Sequence, residues 1–331
     1  MTQMTAGDVA RPNRVAAGPL AAALVTVVLW ASAYVGIRHV AHALSPGVLA
    51  LARLIVGSIA LGVVMVARSM RAARTRVESW PQGRALLWVV VCGVSWFGVY
   101  NVALNAGEQR VDAGTAAMLV KLGPALIAIL AGVFLGEGLS RQLVVGSAVA
   151  SVGVVVICLS VSSRPGTSAT GVALCVAAAV AYAIGVVAQK PVLANVSALR
   201  VTWLACTVGA LSCLPFAGQS LSQLRSASWS TVLWVLYLGL LPTAVGFTTW
   251  AYALARSQAG RLAAMTYLVP PTAILLGWLL LDETPAPLAL AGGALCLAGV
   301  HVTQRVAQRR RPAAGDVGGP SDESPRAGRG S

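Results

Sequence analysis

Apolar residues along this chain do not alternate with polar ones; they run in long blocks. Ten such blocks cover 18–37, 46–67, 86–106, 113–135, 142–161, 171–189, 201–219, 230–254, 262–281 and 286–304. About 20 apolar residues at roughly 1.5 Å rise each cross the hydrocarbon of a bilayer, so each block predicts a transmembrane helix. Pro46 stands just inside the second block, where a first-turn proline is tolerated. The cluster Ser162-Ser163-Arg164-Pro165-Gly166 divides the chain near its middle. In lipid a helix satisfies its backbone within one segment, so the pattern predicts an all-α integral membrane bundle of ten helices.

Composition points the same way. Of 331 residues, 57% are hydrophobic and 10% charged, and the mean hydropathy is +0.78. Soluble domains carry about 25% charged residues. A soluble enzyme, a secreted disulfide scaffold and a disordered chain are excluded. The net charge of +14 does not imply nucleic acid. With a cytoplasmic N-terminus, inner segments hold 18 of the 24 Lys and Arg, and outer loops only Arg38, Arg110, Arg164 and Arg225. That bias predicts both termini inside, in an inner or plasma membrane. Residues 1–17 then form a cytoplasmic tail and 305–331 a disordered basic one. Ala31-Ser32-Ala33 is like a signal-peptidase site, but the apolar run continues to Ile37, so the first block is expected to stay as a helix. Cys92, Cys158, Cys175, Cys206, Cys213 and Cys296 lie in apolar blocks without a CxxC pair, which predicts buried free thiols and no metal site.

The two halves of the chain, 18–161 and 171–304, are alike. Leu87-Trp88 and Gly93 match Leu233-Trp234 and Gly239. Ala116-Ala117-Met118 and Pro124 match Ala263-Ala264-Met265 and Pro271. Leu135, Glu137, Gly146 and Gly153 match Leu281, Glu283, Gly292 and Gly299, while Trp30, Arg38 and Gly57 match Tyr182, Lys190 and Gly209. Five spans per half is an odd number, so the second half crosses in the opposite sense. Inverted repeats of this kind build many secondary transporters, with the solute site near the midplane between them.

The run Leu122-Gly123-Pro124 … Leu135-Gly136-Glu137 with Gly146 and Gly153 resembles the EamA domain of the drug/metabolite transporter superfamily. Its second copy is Val269-Pro270-Pro271 … Leu281-Asp282-Glu283 with Gly292 and Gly299, and Trp30 and Arg53 fit the same pattern. The resemblance covers about 18–304 and implies an inner-membrane carrier, often an exporter of amino acids or other metabolites. It implies no single substrate.

Arg53 and Lys121 stand inside apolar blocks. A cation at mid-bilayer costs at least roughly 2.5–3.5 kcal/mol, which marks both as functional candidates. Both helices enter from outside, and the spacing puts both charges about 10–12 Å deep, at a similar level. Facing a cavity, they would attract a carboxylate; the alternative is that they snorkel outward or pin carbonyls. Their repeat positions hold Ala205 and Leu268, so symmetry does not explain them. Trp30, Tyr100, Asn101, Tyr182, Trp250 and Tyr267 are further candidate substrate contacts, since a pocket is mostly apolar with a few orienting polar groups. For Tyr34, Asn105 and Gln189, near helix ends, an interfacial or capping role is an equal reading. Pro124, Pro270 and Pro271 interrupt the fourth and ninth helices, as hinges or as static kinks. Glu137 and Glu283 close those helices and are expected to fix their ends, and no carboxylate sits at a span centre. Gly132 and Gly136 form a small-xxx-small pair, which admits close packing within the chain or in a homodimer.

No lysine is followed by Ser or Thr as a phosphate loop requires, and HExxH and GxSxG are absent. The sequence therefore predicts no enzyme and no cofactor. It predicts a secondary transporter, by alternating access, for a small amphiphilic or anionic metabolite such as an amino acid. Its partners would be that solute and the lipid bilayer, not nucleic acid. The rival readings are a receptor or assembly subunit without flux and, further off, an intramembrane enzyme.

Overall fold

The computed structural model describes residues 17–40, 42–71, 80–110, 119–161, 168–281 and 287–304. Regular structure among them is helical throughout. The helices are α1 (Ala17–Val40), α2 (Pro46–Arg71), α3 (Arg84–Glu108), α4 (Leu122–Phe134), α5 (Arg141–Val161) and α6 (Ala169–Val192). They continue as α7 (Ala198–Ser212), α8 (Ala217–Ser226), α9 (Trp229–Ala255), α10 (Ala259–Met265), α11 (Val269–Leu281) and α12 (Pro287–Gln304). Residues 1–16 of the expected N-terminal tail, the tail 305–331, the Ser162–Gly166 cluster, Asp112 and Glu283 lie outside the described residues, while Ala17 already belongs to α1.

Among the described residues, six helical stretches are long and apolar enough to cross a bilayer: Ala17–Ile37, Pro46–Met70, Arg84–Glu108, Ala169–Val192, Trp229–Ala255 and Ala259–Leu276. The bent pair α7–α8 makes up to one more, and three shorter apolar helices are Leu122–Phe134, Arg141–Val156 and Leu290–Thr303. Large apolar side chains such as Ile59, Val63, Phe134 and Leu279 stand exposed on them. Apolar faces of this kind suit a lipid solvent, and the chain is a multi-pass membrane protein.

The expected straight helix over 201–219 is broken. It stops at Ser212, makes a 3₁₀ turn over Leu214–Phe216, and resumes as α8 at 48°. Pro215 is the cause: it has no N–H for the Leu211 carbonyl and its ring clashes there. Phe216 then fills the space above Gly47, where a Cβ would lie 2.3 Å from its ring. Gln223 Oε1 accepts from Ser45 N at 2.8 Å, at the start of α2.

Helix α3 carries a π-helical stretch at Gly93–Val99 and α9 one at Gly239–Val245. These lie 146 positions apart, the same spacing that separates Ala150 from Cys296, whose thiol donates to the Ala150 carbonyl at 3.5 Å. Contacts between the halves come in reciprocal pairs. A Cβ on Gly93 would meet Ala205 O at 2.8 Å and Val208 at 2.6 Å; one on Gly239 would meet Arg53 O at 2.9 Å and Val56 at 2.5 Å. Helices α2 and α7 face each other where the Cys206 thiol donates to Leu54 O at 3.3 Å, 152 positions away. Helix α1 packs on α9 and α11, and α6 packs on α3 and α4. The first helix of each half thus lies against the other half, so the packing does not follow the division of the sequence.

The small-residue reading of Gly132 and Gly136 needs correction. Gly136 has φ +65°, a turn that lets Glu137 N reach back to Ala131 O at 3.2 Å. A Cβ on Gly132 would meet the Glu137 carbonyl oxygen at 3.3 Å, so both glycines serve the end of α4. Backbone-to-backbone packing falls instead between α5 and α12. A Cβ on Gly146 would lie 2.6 Å from Gly299 O, one on Gly299 2.6 Å from Gly146 O, and one on Gly153 2.6 Å from Gly292 O.

Candidate functional site

A partly open cavity lies among α1, α2, α3, α4, α6 and α9, with about 670 Å³ of space including its mouth. Each wall follows from helix periodicity. Helix α1 presents Trp30, Ala33, Tyr34 and Ile37, spaced three and four apart on one face. Helix α3 presents Trp96, Tyr100, Asn101, Leu104 and Asn105 from the π stretch onward. Helix α6 contributes Tyr182 and α9 contributes Phe247.

The remaining wall comes from two helix breaks. Lys121 sits as a turn immediately before α4, with φ −73° and ψ 0°, and Pro124 occupies the first turn after it. Thr266–Leu268 forms a 3₁₀ turn between α10 and α11, with Pro270 and Pro271 in the first turn that follows. Proline is tolerated in a first turn but cannot serve the carbonyl four residues back, here Val120, Thr266 and Tyr267. Each break therefore falls just ahead of its proline, and Val120, Lys121, Thr266 and Val269 line the cavity at these places. The prolines shape the breaks, while the residues before them reach the cavity.

Arg53 is buried to 6% exposure and lines the cavity, and its Nε donates to Thr243 Oγ1 at 3.1 Å. Among the described residues it forms no ion pair. Lys121, at 9% exposure, lines the same cavity. Asn101 Nδ2 donates to Phe97 O at 2.8 Å and to Trp96 O at 3.3 Å, carbonyls of the π stretch. Asn105 lines the cavity, and its Nδ2 donates to Pro46 O at 3.1 Å, in the first turn of α2.

An aromatic cluster forms the cavity floor. The ring centroids of Trp30 and Trp96 are 5.9 Å apart, those of Trp96 and Phe247 4.8 Å, and those of Trp96 and Tyr182 5.2 Å. Trp250 stacks on Trp30 at 5.2 Å, buried behind it and outside the lining. Tyr267 is also outside the lining, with its hydroxyl bonded to Ser151 Oγ at 3.1 Å. Of the eight residues singled out as substrate contacts, Arg53, Lys121, Trp30, Tyr100, Asn101 and Tyr182 come together, and Trp250 and Tyr267 stand behind them. Tyr34, for which an interfacial role was an equal reading, joins the lining, as do Trp96 and Thr266, polar or aromatic residues at middle depth, and Phe247, which was not singled out. Glu137 fixes a helix end as expected, but in the other half: its carboxylate accepts from Ala259 N at 2.9 Å and Gly260 N at 3.4 Å.

An apolar helical bundle around a cationic, aromatic-walled cavity defines a class: a multi-pass membrane protein. The chain belongs to the EamA-like transporter family, whose model matches residues 18–159 and again 169–304. It is 38% identical to a probable terminal-alkyne amino-acid exporter of Streptantibioticus cattleyicolor, over 88% of this chain and 95% of that protein. It is 30% identical to an uncharacterised transporter of Bacillus subtilis, over 83% and 87%. It is 27% identical to a probable amino-acid metabolite efflux pump of Escherichia coli, over 85% and 92%. One crystal structure shares the fold with a TM-score of 0.72 at 22% identity, covering 88% of this chain and 98% of that one. The family and the names of these relatives make the protein a transporter.

Proposed function

We propose that this chain exports an amino acid or a related amphiphilic metabolite from the cell by alternating access. The observation that carries the reading is the pairing of Arg53 and Lys121 in one cavity with an aromatic floor. Two cations in a low-dielectric pocket attract a carboxylate strongly, and an arginine fork can hold one bidentately. The rings of Trp30, Trp96, Tyr100 and Tyr182 take an apolar side chain or, through their faces, an ammonium group. Asn101 orients the solute from α3, and Trp250 and Tyr267 brace the floor from behind. The relatives named for amino acids support this class of substrate.

The carrier is read as ten spans in two inverted five-helix repeats, 18–161 and 171–304, related by a pseudo-two-fold axis in the membrane plane. The reciprocal contacts of Gly93 with α7 and Gly239 with α2 support that reading, as do the facing pairs Leu54–Cys206 and Ala150–Cys296. Both termini then lie in the cytoplasm and the chain sits in the inner or plasma membrane. Pro124, Pro270 and Pro271 mark the hinges, since the helix breaks ahead of them border the cavity.

Reconstitution into liposomes tests the proposal. Labelled L-amino acids and L-propargylglycine should show saturable flux. Arg53→Ala and Lys121→Ala should each lower flux at sub-saturating solute by about tenfold or more, the scale of a lost charge-assisted bond. Full flux in both variants at normal expression would overturn the role of the cations.

A further inference from the structure

Arg53 has several rotatable bonds, and an unanchored guanidinium in a cavity would sample many orientations. The structure shows what anchors it. Thr243 is fully buried in the π stretch of α9 and is not part of the cavity lining. Its neighbour Pro242 has no N–H, so the Leu238 carbonyl loses the donor that a regular helix would give it. In the π stretch that carbonyl takes its backbone donor from residue 243 instead, and the Thr243 hydroxyl adds a second bond, at 2.8 Å from Leu238 O. A hydroxyl has one proton, and here it is committed to Leu238. The oxygen is then an acceptor only, and it takes the Arg53 Nε–H at 3.1 Å. The methyl is fixed as well: a Cβ on Gly57, one turn along α2 from Arg53, would lie 2.9 Å from Thr243 Cγ2.

We infer that Thr243 is a positioning residue, which pins Arg53 through Nε and so presents the terminal guanidinium nitrogens to the solute's carboxylate. The inference rests on the proposed role of Arg53 in binding that carboxylate. The device spans the two halves and is not duplicated: the repeat positions of Arg53 and Thr243 hold Ala205 and Phe97. It therefore gives the cavity a single fixed anion-binding direction.

The test uses full-length protein in detergent for calorimetric binding, and in liposomes for flux. The ligand is whichever binds best among the standard neutral L-amino acids and L-propargylglycine. Thr243→Val keeps the shape and removes the acceptor. It should weaken Kd and raise KM about tenfold, with kcat within about twofold and the melting temperature within a few degrees. Thr243→Ser should restore Kd to within about twofold. In an Arg53→Ala background, Thr243→Val should change nothing further. If Thr243→Val does not fold, Thr243→Cys, whose sulfur is a poor acceptor, replaces it. An unchanged Kd in Thr243→Val, or an equal loss without Arg53, would overturn the inference while leaving the role of Arg53 intact. An unchanged Kd in Arg53→Ala would overturn the role of Arg53 itself. Wild-type protein that binds none of the panel would overturn the amino-acid reading and this inference together.

Discussion

Gln189 is 0% exposed, and neither its amide oxygen nor its nitrogen has a hydrogen-bond partner. Leaving a buried amide unbonded costs roughly 1–3 kcal/mol on mutational scales. The residue lies two turns beyond Tyr182 on the same face of α6, outside the cavity lining. If the proposed alternating access exposes this residue, opening would hydrate the amide and recover that cost. Gln189→Leu should therefore raise thermal stability by about 1–3 kcal/mol and slow turnover in the liposome assay. A drop in melting temperature would show that the amide stabilises the closed form. Legibility at this scale follows the contrast of each residue with its surroundings. Arg53 and Lys121 are visible in the sequence because a charge stands out in an apolar block. Phe247, Ile37, Val120 and Val269 carry no such signal, since an apolar residue there fits the cavity, the core and the lipid alike. Trp250 and Tyr267 lie outside the lining, and the sequence does not show this, because with both helix faces apolar the pattern does not say which face looks inward.

The short turn between α9 and α10 is clasped from two sides. Lys190 Nζ donates to Leu254 O at 2.6 Å and also to Ser257 O, at the end of α9. Glu137 accepts the first N–H groups of α10. A cation at a helix C-terminus and an anion at an N-terminus both complement the helix dipoles. Glu137→Ala should cost about 0.5–2 kcal/mol, the usual range for a lost N-cap, and Glu137→Gln less, because one acceptor oxygen remains. Thermal unfolding of the purified protein checks the order of the three. The α5–α12 seam is less forgiving. Gly153→Val would drive a side chain into the Gly292 carbonyl and should cost about 1–3 kcal/mol or more, whereas a valine at Gly138, where a Cβ meets nothing, should not. Helix ends were readable from the apolar blocks wherever a helix runs unbroken, as in α1 and α6. The π stretches were not, because inserting a residue into a turn leaves composition and hydropathy unchanged. The kink at Pro215 was readable in principle, since that proline sits inside an apolar block, but the block's hydropathy hides it.

Across the whole molecule the doubled family match and the reciprocal contacts say different things about the halves. By sequence they are two copies, 18–159 and 169–304; by packing they are one body, since α1 is covered by the second half and α6 by the first. Residues 1–165 expressed alone should not give a stable, protease-resistant product, while co-expression with 166–331 should restore both stability and flux. Recovery of a folded first half by itself would contradict the interleaved packing. The same crossing has a consequence for synthesis. Thr26 of α1 bonds the Gly246 carbonyl of α9, a partner 220 residues downstream. At roughly 5–20 residues per second, the ribosome needs on the order of 10–40 s to deliver it. During that interval α1 and Arg53 wait in the bilayer beside a translocon or a chaperone, so the speed of translation itself becomes a factor in how much carrier matures.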